Sequence, residues 1–345
     1  MPNFERRNYI MAIVFSKNSA LNDDLWKPVG QVINAVMQDA DKEKTNYDQL
    51  VSDLAVEKKS KKYAEKQTGI TSLASFDVVA EGDKAPLDDI QETFPKLIIH
   101  SAFSKSVAIT KEMLDDGDID GAKTIARNLV LGYKRTRAEL ATNALVTEGS
   151  TFTIGPSATT LDKTTGDGEG LFSTSHKSVK ATVATQSNVF TNAFGNDATM
   201  LIRLANILRN FKNDSGQVMG YTADTIVIPG NCYAMEEKIK RIIRSDGLVG
   251  SNYNDVNTQK GLWKLVVDPL WQAAAGTNPY IIFSSEARNA TNGMVFYDRT
   301  PLDVQNDIDI DSRNLKYNGY GRMSCGFNDW RFCVLGGAQS GTELS

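Results

Sequence analysis

The sequence contains few of the residues that most often carry catalysis or bind metals. In 345 residues there are only two histidines, His100 and His176. Neither lies in an HExxH pattern or beside a cysteine pair, so a histidine-based metal centre is disfavoured. His100 falls in a stretch that alternates like a strand, where a polar or interface position is the expected role. We therefore predict no metal site.

Cysteine is equally scarce, with Cys232, Cys325 and Cys333 as the only examples. An odd number in a chain of this length does not fit the disulfide framework of a small secreted protein. A turn at residues 328–329 would bring Cys325 and Cys333 onto facing strands, so one cross-strand disulfide is conceivable. Free buried thiols are the expectation for a chain made in a reducing cytosol.

The sequence has neither an excess of one charge nor a long apolar run. Its 38 basic side chains are balanced by 42 acidic ones, for a net charge of -4. This balance argues against a protein that owes its affinity to neutralising phosphates. No segment approaches the roughly 20 apolar residues that cross a bilayer, and residues 1–9 include the charged Glu5, Arg6 and Arg7. We expect a protein made soluble in the cytoplasm, without a membrane partner, that encloses any nucleic acid rather than gripping it.

Motifs for nucleotide binding and covalent catalysis are missing as well. Gly166, Gly168 and Gly170 are spaced by two, follow no apolar strand and precede no Lys-Ser or Lys-Thr pair. No GxSxG nucleophile elbow is present. We therefore predict no catalytic residue and no cofactor, and we expect that the protein is not an enzyme.

Three aspartates near the C-terminus have the spacing that opens a calcium loop. They are Asp307, Asp309 and Asp311, but the positions of the required glycine and glutamate hold Ser312 and Asn318. The intervening isoleucines alternate as in a strand. An acidic strand face that pairs with lysines of a neighbour is favoured over calcium.

The N-terminal part predicts two amphipathic helices. Apolar residues recur at helical spacing over residues 25–40, with Asp23 or Asp24 as the cap. A second such segment, residues 47–55, runs into the basic stretch 58–62. Contact of this stretch with DNA or an acidic neighbour is one interpretation. A solvated helix end is favoured, because lysines suit the negative end of the helix dipole.

The period changes to two between Gly69 and Leu114, which predicts two strands. The first covers residues 75–80, and the second covers residues 97–109. A polar turn joins them, so the segment is expected to be a long hairpin. Because a two-stranded ribbon is marginal in water, it should lie on its own domain or on a neighbouring subunit. The apolar face predicted for the second strand is Leu97, Ile99, Phe103, Val107 and Ile109, and the predicted intersubunit contact is the turn Glu81, Gly82, Asp83, Lys84, Ala85 and Pro86.

The clearest helix in the sequence follows this hairpin. It is predicted to begin near Asp118 or Asp120 and to continue to about Val146, with Gly149 after its end. A helix of this length spans on the order of 40 Å, enough to serve as the backbone of a domain.

The remainder of the chain alternates between loop and regular structure. Residues 150–196 are rich in Thr, Ser and Gly, which is typical of a surface loop or a domain crossing. An α/β lobe and then a β-rich part are predicted to follow. The predicted elements are helices over 199–211 and 233–243, and strands over 225–228, 262–267, 280–283, 294–297, 302–310, 314–323 and 330–335.

This order of elements resembles the major capsid proteins of tailed bacteriophages, and among them the Mu-type head subunits. The resemblance is carried by loose patterns that together cover most of the chain from about Gly69 onward. They are the strand-to-helix passage 103–117, the segment Leu171–His176, the stretch Ala223–Pro229 with the helix after it, Asn254, Asn257, and the stretch Gly261–Pro269.

The resemblance implies an α+β chain with the HK97-like major capsid fold. The expected parts are an N-terminal arm (1–68), an extended loop or β-hairpin (69–112), a peripheral domain with spine helix and crossing (113–189), an axial α/β domain (190–275), and a returning peripheral-domain β-sheet with the C-terminus (276–345).

The function implied is that of a shell subunit in the virion, assembled in the bacterial cytoplasm. The expected partners are further copies of the chain in hexamers and pentamers, a portal, a separate scaffolding protein, decoration proteins and enclosed double-stranded DNA. Some members of the family crosslink a loop lysine to an asparagine. Lys84, Lys96 and Lys105 are available, but no motif selects one of them.

Two alternatives remain at this stage. An encapsulin-like nanocompartment shell has the same fold but packages proteins. A soluble α/β enzyme or binding protein would be a monomer or a small oligomer with a pocket.

Overall fold

The computed structural model describes residues 14–15, 26–71, 73, 75–88, 90–247, 256–309 and 311–344, with backbone only at residues 14, 15, 26–29 and 114. The predicted caps Asp23 and Asp24, and also Asn254, lie outside the described residues. Among the described helices, none has the length and apolar character needed to span a membrane.

The predicted spine helix is confirmed as α4, Ile119–Val146. The Asp118 side chain caps it by accepting a hydrogen bond from the Gly121 amide at 2.8 Å. The apolar residues of this helix that recur at helical spacing form a stripe, which is buried except at its first member, Ile119. The buried members are Ala122, Ala126, Leu129, Val130, Tyr133, Leu140, Ala144 and Leu145. Tyr133 lies so close to Gly321 that a Cβ there would sit 2.6 Å from the ring, so the neighbouring strand needs glycine at this contact. A short helix, α3, precedes the spine helix at Lys111–Asp115.

The two predicted amphipathic helices of the N-terminal part are present, and both pack on the spine helix. The second of them begins at a capping box, in which Thr45 and Asp48 bond each other's backbone amides. The basic stretch 58–62, however, is not a helix end: it begins in a strand that pairs in parallel with residues 295–298. The three elements are α1, Trp26–Lys42, α2, Asn46–Leu54, and β2, Val56–Lys59.

A five-stranded sheet lies against the spine helix. Its strands follow the order β1-β11-β12-β5, and β2 also pairs with β11. The C-terminal strands predicted over 294–297 and 302–310 are one continuous strand, β11, that contains two register shifts. The bounds are β1, Val14–Phe15, β5, Ser101–Ile109, β11, Met294–Ile308, and β12, Leu315–Phe327.

The predicted α/β lobe is built on a second sheet, with the order β13-β10-β8-β9. Strands β8 and β9 are parallel and α6 connects them, whereas β10 is antiparallel to both β8 and β13. The bounds are α5, Thr199–Arg209, β8, Thr225–Pro229, α6, Tyr233–Arg244, β9, Lys264–Asp268, β10, Tyr280–Phe283, α7, Ser285–Ala290, and β13, Cys333–Gly336.

The segment from 150 to 196 is a crossing held by buried polar groups, which decides against a simple surface loop. It opens with a hairpin of β6, Thr151–Ile154, and β7, Thr159–Asp162. Further along, buried His176 bonds Asp167 at 2.8 Å, and its ring stacks on Trp330 with 4.2 Å between centroids. These contacts tie the crossing to the C-terminal part of the chain.

The paired part of the predicted hairpin differs from the sequence prediction. Residues 75–80 form no strand, and the paired legs are β3, Ala64–Gln67, and β4, Lys96–Ile99. Strands β4 and β5 are separated at His100, so Leu97 and Ile99 are exposed and Ile98 is buried instead. The prediction of a single apolar face for residues 97–109 is therefore wrong before His100. It is correct in β5, where Phe103, Val107 and Ile109 pack on the core.

All three cysteines are buried free thiols, as expected. Cys325 and Cys333 lie on different sheets. Asp309 pairs with Lys316 of its own chain at 2.8 Å, and no group of three metal-ligating side chains occurs among the described residues.

Candidate assembly surface

The extended loop is anchored by polar contacts at its base. The buried Gln67 amide donates to the Tyr297 hydroxyl at 2.7 Å, and the Gly69 amide donates to the Thr93 hydroxyl at 2.7 Å. Lys96, which is 8% exposed, pairs with Asp162 and so joins the base to the crossing. The bases of the two legs are therefore fixed to the body of the protein.

His100 lies at the bend where the loop leaves the five-stranded sheet. Its Nδ1 lies 2.8 Å from the Ser324 hydroxyl and its Nε2 lies 3.0 Å from the Ser60 hydroxyl, which donates to Glu65 at 2.7 Å. Burial lowers the pKa of His100, and the Glu65 carboxylate opposes this shift. The polar role predicted for His100 is thus filled by a buried link between the sheet and the loop base.

Beyond the base, the loop is exposed to solvent. Every residue of the outer loop, which we define as residues 75–88, is exposed. Phe76, Val78 and Leu87 have relative exposures of 101%, 103% and 100%. Large apolar side chains scattered singly on a surface are ordinary, but three on one projecting segment indicate a contact surface.

The predicted contact residues form the end of this outer loop. Glu81 and Gly82 make a turn, in which Gly82 has φ of +88° and the Asp83 amide donates to the Ala80 carbonyl. All six predicted residues, Glu81 to Pro86, are brought together at this turn and are exposed. We call them the tip turn.

Two polar contacts join the flanks of the outer loop to the body of the same chain. Asp88 lies 3.5 Å from Lys180, and the Ser75 hydroxyl lies 2.7 Å from the Gln217 amide group. Both contacts are polar, so they leave the apolar side chains of the outer loop in water.

The sequence prediction missed a charged cluster that holds the N-terminal helices to the spine. Lys134, which is 4% exposed, donates to the carbonyls of Asp41 and Glu43 at 2.9 and 2.6 Å. One turn later, Arg137 bonds Glu57 and Asp298, each at 2.8 Å. Burial raises the pKa of Asp298, and Arg137 opposes this shift. The available signal was two basic residues inside the apolar stripe of a predicted helix.

A cleft of about 1010 Å³ separates α2 from the α/β lobe. Its walls carry both signs of charge, including Lys264 paired with Asp53 at 2.6 Å, and contain neither histidine nor cysteine. The two histidines lie elsewhere, in the loop bend and in the crossing. The described residues therefore do not assemble a histidine- or cysteine-based catalytic group in this cleft.

The family model described as phage capsid protein matches residues 98–335, more than half of the chain. The chain belongs to the phage capsid protein family. The matched region runs from β4 to β13 and contains the spine helix and both large sheets. The encapsulin alternative is not favoured, because the matching family is a phage one. This capsid protein is a structural subunit of a shell, and no curated protein matches its sequence.

Solved structures agree with the fold of this capsid protein. The capsid of a native GTA particle matches with a TM-score of 0.54 and 12% identity, over 85% of this chain and 90% of that one. The capsid of the empty GTA particle gives 0.53 with the same identity and coverage. Gordonia phage Cozz gives 0.51 with 9% identity, over 86% of each chain. At these identities the likeness establishes the HK97-like fold alone.

Proposed function

We propose that this capsid protein assembles as hexamers and pentamers into the icosahedral shell that encloses the double-stranded DNA of a tailed phage. The observation that carries this proposal is the outer loop with its fully exposed Phe76, Val78 and Leu87. A closed shell of identical subunits gives every copy a neighbour, which supplies the surface that one chain lacks. The tip turn, Glu81 to Pro86, is the contact that we assign to this role.

The proposal also assigns a role to each segment of the chain. Residues 1–68 act as an arm and 69–112 as the extended loop. Residues 113–189 and 276–345 form the peripheral domain, and 190–275 form the axial domain at the centres of hexamers and pentamers. In support, the loop is fixed at its base by Gln67 and Lys96, whereas the outer loop is exposed to water.

The further partners follow from the same function. We propose that the shell also binds a portal, a separate scaffolding protein and decoration proteins, and that it assembles in the bacterial cytoplasm. The DNA is enclosed without sequence-specific binding, which is consistent with a net charge of -4.

Electron microscopy of the expressed full-length protein tests the assembly directly. We expect shells, tubes or rings of hexamers. A monodisperse small particle under all conditions, including co-expression with the scaffolding protein, would remove the proposal.

Deletion of the tip turn tests the residues assigned to contact. Removing Glu81 to Pro86 should leave the subunit folded, since all six side chains lie in water, but should prevent closed particles. Circular dichroism and particle counts by electron microscopy measure the two effects. A matched control replaces the exposed turn Gly155–Ala158 of the β6–β7 hairpin with a Gly-Ser linker of equal length. An unfolded deletion product, or normal particles from it, would contradict the assignment.

A further inference from the structure

We propose that residues 75–80 of one copy add as a β-strand to the open edge of β5 in a second copy. The inference rests on the proposed shell assembly and specifies how two copies join. It is argued from an unpaired sheet edge and an unpaired strand-like segment in the same chain.

The acceptor is the free edge of β5. This strand pairs with β12 in unbroken register, from Ser101 opposite Met323 to Ile109 opposite Leu315. In the described part of the chain no strand lies on its other side. Alternate amides and carbonyls of an edge strand point outward without ladder partners. A nine-residue edge without proline or bulge is a template for a further strand.

The two faces of β5 differ in a way that leaves the outer face accessible. Phe103, Val107 and Ile109 pack against the core. The opposite face carries only small side chains that are all exposed, namely Ala102, Ser104, Ser106 and Ala108. Large side chains of an added strand would therefore find open room on this face.

The donor segment has the composition of a strand and pairs with no strand in the described part of its own chain. Phe76, Val78 and Ala80 alternate with Ser75, Asp77 and Val79, which is why the sequence predicted a strand here. The isolated chain forms no ladder at these residues. A strand is stabilised by pairing and by cross-strand side-chain contacts. Without a neighbouring strand, this segment therefore stays unpaired and exposed to solvent despite its strand propensity. A second copy supplies the missing neighbour.

Charge sets the register of the pairing. Lys105 is the only charged residue of β5, and Asp77 is the only one among residues 75–80. A lysine in the middle of an edge strand opposes addition of a neutral strand, because its charge would lose water. A carboxylate directly opposite turns this obstacle into an ion pair.

This register also places the apolar side chains. With Asp77 opposite Lys105, Phe76 and Val78 lie on the other face, above the small side chains of Ser104 and Ser106. The contact from Gln217 reaches only Ser75, the first residue of the segment, and the contact from Lys180 to Asp88 lies beyond the segment. The same register therefore pairs the charges and places two fully exposed apolar side chains beside small neighbours on the open face of β5.

Mixing two variants, each with one added cysteine, tests the pairing between copies. Full-length Asp77→Cys and Lys105→Cys proteins are combined before assembly and oxidised. Directly opposed residues have Cβ atoms roughly 4.5–5.5 Å apart, and a disulfide spans roughly 3.5–4.5 Å. A small shift of the added strand closes this difference, so we expect a dimer on non-reducing gels. The matched control replaces Lys105→Cys by Ser104→Cys, whose thiol points to the opposite face of β5 and should give much less dimer. The wild-type protein, with its three buried thiols, gives the background.

Electron microscopy of the same samples separates the two proposals. Particles that lack the disulfide-linked dimer of the Asp77→Cys and Lys105→Cys chains overturn the strand addition and leave shell assembly standing. Particles in which Lys105→Cys and Ser104→Cys give equal yields of dimer with Asp77→Cys also overturn the strand addition and leave shell assembly standing. A wild-type protein that forms no particles, together with mixed variants that form no disulfide-linked dimer, overturns both.

Charge exchange provides a second measurement that needs no disulfide. Lys105→Asp should weaken association by roughly fivefold per contact, in line with the worth of an opposed charge pair. Adding Asp77→Lys should restore it. A double variant that assembles no better than the Lys105→Asp single variant would overturn the register.

Discussion

Lys134 and Arg137 lie one turn apart on the spine helix and are 4% and 3% exposed. Buried charges of this kind are tolerated only when partners surround them. Here the partners come from the N-terminal helices, from β2 and from β11, so these two side chains connect segments that are far apart in sequence.

Removing one member of this cluster is expected to be costly. Arg137→Met leaves Asp298 buried without its counter-charge and should lower the free energy of unfolding by roughly 3–5 kcal/mol. Arg135→Met is the matched control, because Arg135 is exposed and pairs with Glu139 one turn away, so a loss of about 0.5 kcal/mol or less is expected. Urea unfolding of both variants measures the difference. Equal losses would show that the cluster does not hold the helices.

Lys163 is a second buried cation, with a much poorer set of partners. It is 1% exposed, and among the described residues its ammonium contacts the Leu145 carbonyl at 3.4 Å and the face of Phe172. Burial lowers the pKa of Lys163 to about 7. Between about pH 7 and pH 10 the Lys163 amine is therefore protonated in the unfolded chain and neutral in the folded protein. Because the unfolded state binds more protons, the free energy of unfolding rises with pH across this window.

Replacing this lysine with an apolar residue should stabilise the protein. Lys163→Met is expected to raise the free energy of unfolding by roughly 2–4 kcal/mol at pH 7 and by about 1 kcal/mol at pH 10. Thermal unfolding of wild type and variant at both pH values measures this. The exposed Lys61→Met is the control and should show no such pH dependence. A gain that is independent of pH would exclude a displaced lysine pKa as the cause.

At the scale of the elements, the loop base combines a two-stranded ribbon with a bend. Among the strands that the structure describes, β3 and β4 pair only with each other, and such a ribbon is marginal without further contacts. The hydrogen bond from Gln67 to Tyr297 and the packing of Ile98 on Val295 supply those contacts. The loop can project because its base is fixed.

Loosening the base should be visible as local opening. Tyr297→Phe removes the hydroxyl that accepts the buried Gln67 amide, at a cost of about 1–2 kcal/mol. Amide exchange over residues 64–67 and 96–99 should become roughly 5–30 times faster, with little change in β8 and β10. The exposed Tyr233→Phe serves as the control. Uniform acceleration across both sheets would instead indicate global destabilisation.

For the whole molecule, the outer loop is the part that the single chain leaves unfinished. Its apolar side chains are fully exposed, while the two large sheets and the spine helix enclose a continuous core. Stability of the subunit and stability of the assembly therefore depend on different residues.

This separation can be measured on one variant. Replacing Phe76→Ser together with Val78→Ser should leave the urea unfolding midpoint of the subunit unchanged, because neither side chain is buried. Each should contribute about 1.5 kcal/mol or more when a neighbour covers it, so the critical concentration for assembly should rise at least about tenfold. Light scattering against concentration measures the threshold. An unchanged threshold would show that the outer loop stays in water in the particle.

Elements whose hydrogen bonds are local were accessible from the sequence. The spine helix with its cap at Asp118, the helix capped at Thr45 and the strand Tyr280–Phe283 agree with the periodicity and the flanking residues. The tip turn was also readable from its composition, because glycine and proline act on their own backbone.

The partners of the strands were decided only by the tertiary structure. The basic residues after α2 became a strand because Val56 meets Val295, and the paired legs of the loop moved to residues 64–67 and 96–99 because these segments oppose each other. The buried roles of Lys134 and Arg137 depended in the same way on carboxylates and carbonyls from distant segments. A helix satisfies its backbone within four residues, so its sequence determines it; a strand or a buried charge is satisfied by a partner that only the folded chain brings near.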